Sequence, residues 1–411
     1  MPVSTYRQRG AANEGTVSER AGGLRIAYVN YGEQSGVTAH VTAGLEALGH
    51  RVVPVFGRGP LELRDPATRR LRVTPLVLAH LATAVLRYGR RALSYRWNTP
   101  FAFDVHSRWA GELIAGLPAR ADVVLQNGAL FSPGLPPRLP YVVYLDHTRA
   151  MAERRPSVPE AHLPAPPRWG AGWRRREAET YRRAVSVATF SQHAARSVVE
   201  DYGVDAGRVH VVGAGTNALP AQVTRNDDGA TILFVGREFA RKGGPILLDA
   251  FRQLRRKRPR ARLLIAGPAE RLSLPDGAIR LGAVPYDQLP ALFSQATVFA
   301  LPTLREPFGI AFLDAMANGV PCVGTRTEAV PEIIEDGRSG LLVPPADARA
   351  LATALDRVLA DPVLARAMGE RGRQRVHAEF TWARTAQRLS DQLEAAAGRM
   401  RRRAGLAAAV P

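Results

Sequence analysis

Lysine is nearly missing from this chain: of its fifty-six basic residues only Lys242 and Lys257 are lysines, and the other fifty-four are arginine. Cysteine is scarcer still. A lone Cys322 excludes an intrachain disulfide and a zinc site built on cysteines, and it suits a reducing compartment. No run of about 18 apolar residues occurs, so no membrane-spanning helix is expected. The opening MPVSTYRQRGAANEGTVSERAGG lacks the apolar centre of a signal peptide. These absences together predict a soluble or membrane-peripheral protein, cytoplasmic by default.

What remains is an ordinary globular composition, 46% hydrophobic and 23% charged. At 411 residues the chain exceeds what one hydrophobic core usually organises, so two domains are expected. The formal charge of +19 has two readings. A basic field gathers polyanions and anionic lipid, but near-exclusive arginine with abundant alanine also fits a compositional bias that carries no function.

The pattern along the chain is strand, loop, helix, strand, repeated. LRIAYVN (24–30) reads as a buried strand, VTAHVTAGLEALGH as a helix and RVVPVFG as the next strand, which makes a βαβ unit. Further strands are expected near 122–126, 141–145, 185–190 and 209–212. A second series starts at Thr231 with ILFVG, then a helix near 245–257, the strand ARLLIAG, IRLGAV, a helix near 286–294, VFALPT, a helix through 312–318, and PCVGT. Two doubly wound α/β domains facing a cleft follow from this alternation. Gly213 to Ala230, with Pro220 and Asn226-Asp227-Asp228-Gly229, reads as the hinge. Two inserts interrupt the first domain. Residues 58–108 are arginine-dense and include LVLAHLATAVLRYGRRAL, and 151–183 carry Trp169, Trp173 and Arg174-Arg175-Arg176. The first is either a basic amphipathic helix for a membrane surface or an ordinary helix packed on the domain with a solvated arginine face.

Lys242 lies in FVGREFARKGG, after the first strand of the second series. Gly236 lets the backbone turn, Arg237 and Lys242 project from the loop, and Gly243-Gly244 open a helix. A helix N-terminus with two cations beside it suits a diphosphate, because free amides and the dipole both favour an anion; the alternative is a basic turn with salt bridges. This segment has neither a Walker loop nor GxGxxG. Further on, ALPTLREPFGIAFLDAMANGVPCVGT places Glu306 in a loop, Phe308-Gly309 before a short helix that starts near Ile310, and Asp314 on that helix. Two carboxylates and a set of free amides can hold sugar hydroxyls, a phosphate and a ribose diol.

GREFARKG, GAV at Gly282 to Val284, REPFGIAFLD and GRSGLLVPP from Gly337 to Pro345 occur in this order. In this the chain resembles the retaining nucleotide-sugar glycosyltransferases of the GT-B fold, family 4, also called glycosyl transferases group 1. The resemblance implies two Rossmann-like domains, with a final helix that starts at Phe380 and Trp382, runs to about Met400 and crosses back to the first domain. It implies that Arg237 and Lys242 bind the diphosphate of the sugar donor, that Glu306 contacts the sugar, and that Gly236, Val284 and the amides of Phe308, Gly309 and Ile310 complete the pocket. Asp314 takes the ribose position, where the family usually has glutamate. Gly36 takes the place of a glycine-rich turn, often two adjacent glycines in the family, and His147 in YLDHT that of a histidine close to the reacting sugar. Taken alone, His147 reads equally as a structural residue at a strand end, and Ser191 as a helix N-cap.

The expected layout is a polar tail at 1–22, an acceptor domain at 23–213, a hinge at 214–230, a donor domain at 231–375, a crossover helix at 376–400 and a tail at 401–411. The expected partners are a UDP- or GDP-linked sugar and a saccharide, lipid-linked or small-molecule acceptor, with peripheral contact at the inner membrane surface left open and no nucleic acid. No cofactor is expected, and no metal either, since two cations and a helix N-terminus supply positive charge and no DxD triplet occurs. A sugar phosphorylase or epimerase on the same fold is the alternative, although Lys257, in the helix FRQLRRKRPR, suits a phosphorylase poorly. A nucleic-acid-binding protein would account for the charge but lacks any recognised module.

Overall fold

Strands buried on both faces read as unbroken apolar runs, and the computed structural model places such runs in two parallel six-stranded sheets. It describes residues 23–30, 36–56, 59–64, 70–133, 139–154, 169–218, 220, 225–268 and 271–408; the expected tail at 1–22 lies outside them. The first domain contains β1 (Arg25–Asn30), α1 (Val37–Ala47), β2 (Arg51–Phe56), α2 (Pro75–Tyr88), α3 (Ala92–Tyr95), α4 (Pro100–Ala115), β3 (Val123–Asn127), β4 (Tyr141–Leu145), α5 (Arg149–Glu153), α6 (Gly170–Arg183), β5 (Ser186–Thr189), α7 (Gln192–Glu200) and β6 (Val209–Val211). Its strand order is β2-β1-β3-β4-β5-β6, and every residue of β3, β4 and β5 is buried.

The second domain contains β7 (Thr231–Val235), α8 (Gly244–Lys257), β8 (Arg262–Ala266), β9 (Ala278–Gly282), α9 (Leu289–Gln295), β10 (Val298–Leu301), α10 (Ile310–Ala317), β11 (Cys322–Thr325), α11 (Val330–Ile333), β12 (Gly340–Val343), α12 (Ala348–Ala360) and α13 (Pro362–Glu379). Its order is β12-β11-β10-β7-β8-β9. In each sheet the chain leaves the first strand on one side and later returns to add strands on the other. The crevice at that reversal is where open α/β sheets bind ligands, and here it lies beyond β7 and β10.

α14 (Trp382–Ala408) crosses back to the first domain. It reaches eight residues beyond the expected end at 400, so the expected tail from 401 is helical through Ala408. Its buried stripe of Ala386, Leu389, Leu393, Ala396 and Ala397 recurs at helical spacing and packs on α1, β3, β4 and β5. Close approach requires glycine here: a Cβ on Gly44 would stand 2.6 Å from that of Ala386, and one on Gly215 would stand 2.4 Å from the Trp382 nitrogen. Buried polar groups on this seam are paired, with His50 Nε2 at 2.7 Å from Ser390 Oγ and Trp382 Nε1 donating to Asn217 Oδ1 at 3.0 Å. The segment between β6 and β7 holds no helix or strand among its described residues.

α2 departs from the packed-helix expectation. Its buried residues are Val77, His80 and Ala84, while Leu78, Val85 and Leu86 are exposed. The solvent side is therefore apolar, and arginines flank it at both ends. Among the described residues no helix is long and apolar enough to cross a membrane.

Candidate active site

The loop after β7 is shaped by backbone that only glycine adopts without strain. Gly243, the N-cap of α8, has φ 76°, and a Cβ there would lie 1.8 Å from the Pro302 carbonyl oxygen. This contact brings the β7 loop against the end of β10. The amide of Leu304 donates to the Arg241 carbonyl at 3.0 Å, and the Arg241 guanidinium donates to the Arg305 carbonyl at 2.8 Å. Two loops from adjacent strands are thereby fixed as one wall of the crevice.

On that wall the Lys242 ammonium donates to Glu306 Oε2, with side chains only 14% and 6% exposed. Arg237 is exposed and makes no ion pair with the described residues. Gly309, the N-cap of α10 with φ 117°, packs beside Glu306, for a Cβ there would stand 3.3 Å from Glu306 Cγ. Gly236, Arg237, Lys242, Glu306, Gly309 and Ile310 thus share one face of the crevice. The cation meant for a diphosphate and the carboxylate meant for a sugar neutralise each other, as two partly buried charges must. Phe308 points elsewhere. Its ring is buried and meets Phe190 edge-on at 5.5 Å and Phe380 at 6.3 Å, so it wedges between the domains and leaves only its backbone to the pocket.

Asp314 belongs to a second cluster. Its Oδ1 accepts from Thr216 Oγ1 at 2.7 Å and from the amides of Asn217 and Ala218 at 2.9 and 3.2 Å, and its Oδ2 accepts from the Tyr286 hydroxyl. Burial pushes its carboxyl above the ordinary range, while these donors favour the ionised form. The carboxylate expected to hold a ribose is thus also bonded to the segment between the two sheets. Gly36, with φ 76° at the start of α1, faces the same place, since a Cβ there would lie 3.2 Å from Asn217 Nδ2. Val284 is partly buried against the core, two residues before Tyr286.

His147 joins neither cluster by a hydrogen bond or ion pair among the described residues. Its Nδ1 lies 2.8 Å from Asp146 Oδ1, one residue before the N-cap of α5. The link to the crevice passes through α5 itself, whose Met151 and Ala152 carbonyls accept from Arg305 at 2.8 and 2.7 Å. The start of α5 is anchored by buried Glu177, which accepts from the Arg149 amide and the Tyr181 hydroxyl, each at 3.0 Å, and from Tyr202 at 2.5 Å. Ser191 caps α7 as expected, with its hydroxyl accepting from the Ala194 amide at 3.1 Å.

Several residues of this site escape sequence reasoning. Glu328 accepts from the Glu306 amide and lies 3.8 Å from Arg305. It has φ 46°, a conformation that costs a non-glycine residue on the order of 1–3 kcal/mol. Glu332 reaches across the cleft to the N-terminus of α7 and accepts from the amides of Gln192 and His193, both at 2.7 Å. Arg305, Tyr286, Thr216 and Asn217 also gain their roles only in three dimensions.

The family model described as "Glycosyl transferases group 1" matches residues 216–375, which include Lys242, Glu306 and Asp314. The MMP alpha-(1->4)-mannosyltransferase of Mycolicibacterium hassiacum is 27% identical over 88% of this chain and 96% of its own length. A GDP-mannose-dependent alpha-(1-6)-phosphatidylinositol monomannoside mannosyltransferase of Mycolicibacterium smegmatis is 34% identical over 41% of this chain, which spans half the length of that relative. Among solved structures, sucrose-phosphate synthase from Thermosynechococcus elongatus matches 93% of this chain and all of its own at a TM-score of 0.65 and 21% identity. Anabaena HepE in complex with UDP and glucose matches 90% of this chain and 99% of its own at a TM-score of 0.59 and 16% identity. The architecture is GT-B, and the comparisons support a glycosyltransferase.

Proposed function

We propose that this chain is a retaining glycosyltransferase of family 4 that moves a hexosyl group from a UDP- or GDP-linked sugar to a saccharide or lipid-linked acceptor without a metal ion. The observation that carries the reading is the Lys242–Glu306 pair at the reversal point of the second sheet, beside the unpaired Arg237 and the N-terminus of α8. A diphosphate at that helix end takes the Lys242 ammonium from Glu306 and gains Arg237. The freed Glu306 carboxylate then accepts from a hydroxyl of the transferred sugar. Positive charge placed where the leaving diphosphate develops negative charge lowers the barrier. The bond from the sugar anomeric carbon to the diphosphate oxygen breaks, the acceptor oxygen bonds to that carbon on the same face, and the acceptor proton passes to the departing phosphate.

Asp314 Oδ2 holds one protein donor, the Tyr286 hydroxyl, whereas Oδ1 holds three from the hinge. A ribose hydroxyl can replace Tyr286 there without disturbing the hinge. Gly36 lets the donor diphosphate and the acceptor approach, His147 stands close to the reacting sugar, and the reading is cytoplasmic with peripheral contact at the inner membrane surface. The mannosyltransferase relatives support a nucleotide-sugar donor, and one of them names a lipid acceptor. A thermal-shift screen of nucleoside diphosphate sugars, followed by donor hydrolysis in EDTA, tests the reading. A matching donor should stabilise the wild type and fail to stabilise Lys242→Ala, and near-normal turnover by purified Lys242→Ala or Glu306→Ala would sink it.

A further inference from the structure

From Pro75 to Leu86, α2 contains no charged residue. Its inner side is fixed to the domain by buried His80, whose ring lies 5.0 Å from that of Trp97, itself 5.3 Å from His106 on α4. Its outer side presents Leu78, Val85 and Leu86, spaced seven and eight residues apart and therefore on one face, at 54%, 55% and 88% exposure. Leu71 and Val73 before the helix and Leu93 after it are exposed as well. Of the eleven large apolar side chains exposed among the described residues, these six lie within one stretch of twenty-three.

The charges around this patch differ from those elsewhere. From residue 70 to residue 99 the sequence has no aspartate or glutamate, but it has Arg70, Arg72, Arg87, Arg90, Arg91 and Arg96. Arg72, Arg90 and Arg91 make no ion pair with the described residues. Away from the insert fourteen arginines pair with carboxylates, among them Arg176 with Asp104, Arg258 with Asp356 and Arg375 with Glu335. Compositional bias accounts for the number of arginines, but it does not account for a stretch where they surround exposed leucine and valine with no carboxylate among them.

We infer that the outer face of α2, with Leu71, Val73 and Leu93, docks on an anionic lipid bilayer. Aliphatic side chains enter the acyl boundary while arginines at the margin meet phosphate headgroups. A polyanion in solution would have no use for the aliphatic face. A second copy joined through the same patch would bring the arginine clusters together by symmetry. The purpose of docking rests on the transferase reading, because it brings a lipid-linked acceptor to the cleft; the docking itself does not. Structurally the patch is tied to the cleft. α2 packs on α4, Phe103 of α4 meets Trp173 at 5.0 Å, Trp173 meets Trp169 at 4.7 Å, and Arg149 of α5 lies over Trp169 at 4.7 Å. α5 is the helix that Arg305 grips.

Co-sedimentation of the full chain with vesicles tests this. The wild type should pellet with phosphatidylcholine vesicles containing roughly a third phosphatidylglycerol, not with pure phosphatidylcholine, and about 1 M salt should weaken binding at least tenfold. Leu86→Glu, and separately Arg90→Glu with Arg91→Glu, should each lower binding roughly tenfold. Donor hydrolysis and Tm should stay unchanged, so loss of docking is read separately from loss of catalysis. Failure of the wild type to pellet overturns the inference. So does undiminished binding by Leu86→Glu, which leaves only charge adsorption, or a dimer in sedimentation velocity that Leu86→Glu dissolves.

Discussion

The two sheets part company beyond their second strands. In the second domain β9 follows β8 on the same side before the chain crosses to β10, whereas in the first domain the chain leaves β2, builds α2, α3 and α4, and crosses to β3 with no third strand on that side. The charges follow this division. Around the crevice of the second domain the charged groups are mostly answered within the fold, Lys242 by Glu306, Arg241 by Glu238, Arg305 by Glu328. In the helical insert residues 70–99 supply six arginines and no carboxylate, and Arg72, Arg90 and Arg91 make no ion pair with the described residues. The first arrangement opens only to a ligand that offers each charge a better partner, which is how a phosphate site stays selective. The second invites any anionic surface.

Removing a charge from the crevice tests this contrast most severely. Lys242→Ala should lower transfer by about a thousandfold, roughly 4 kcal/mol of transition-state stabilisation. It also leaves Glu306 without its cation and should destabilise the fold by up to about 3 kcal/mol. Glu306→Gln should lose activity with a smaller change in Tm, because no buried charge is left alone. Steady-state kinetics beside thermal melts separate the two effects. Equal stability losses in both variants would mean that the pair is not closed in the way the geometry indicates.

Next in size is the hinge. Asp314→Ala strands two amides and two hydroxyls that now share one carboxylate and should cost about 3 kcal/mol in urea unfolding. Tyr286→Phe removes only the Oδ2 partner and should cost about 1 kcal/mol, while KM for the sugar donor holds steady or falls if a ribose hydroxyl uses that oxygen. Wild-type stability in Asp314→Ala would break the hinge role, and a large rise in KM with Tyr286→Phe would break the exchange.

The sequence revealed whatever is written locally. Parallel strands such as YVVYL and VFAL are apolar throughout because helices cover both faces, so they stand out against polar loops. Lys242 stood out by its rarity, and Glu306 and Asp314 by their place around EPFG. The cross-cleft contacts were illegible. Glu332 meets Gln192 at a separation of 140 residues, and Arg305 meets Ala152 at 153, and neither end carries a local pattern. Asp314 lies on the helix where it was expected, but its hydrogen bonds to Thr216, Asn217 and Ala218 could not be read, since those residues look like any loop. The outer face of α2 was left between two readings for a physical reason: apolar periodicity locates a stripe but does not say which stripe is buried, and here a narrow one of Val77, His80 and Ala84 faces inward.

That narrow inner stripe gives the insert a pH dependence of its own. Burial lowers the pKa of His80 to about 4, with His106 and Arg96 adding to the effect, and burial lowers that of His106 to about 4 as well. Both rings are thus neutral in the fold, while the unfolded chain takes up protons near pH 6.5. The stabilisation is complete above about pH 6.5 and is lost as the pH falls towards 4. Between those limits Tm of the wild type should fall by roughly 2–4 °C more than that of His80→Leu, and Trp97 emission should shift first. Parallel pH curves for the two proteins would show that His80 does not bear the load.

The smallest expected effect lies where the two regions touch. Glu332 places its carboxylate on the N-terminus of α7, where two amides and the helix dipole receive it. The site is partly solvated, so Glu332→Ala should cost only about 1 kcal/mol in stability. Its consequence is positional: Arg305 on the α5 carbonyls and Phe308 against Phe190 remain, but one of three cross-cleft grips is gone. The domains should then sample a wider opening, seen as a small rise in the radius of gyration by X-ray scattering, with KM for the acceptor rising more than kcat falls. Glu332→Gln keeps an acceptor for one amide and should lie between. If Glu332→Ala leaves both the scattering and the acceptor KM unchanged, closure rests on Arg305 and Phe308 alone, and the second domain holds the first through its crevice loops rather than through α11.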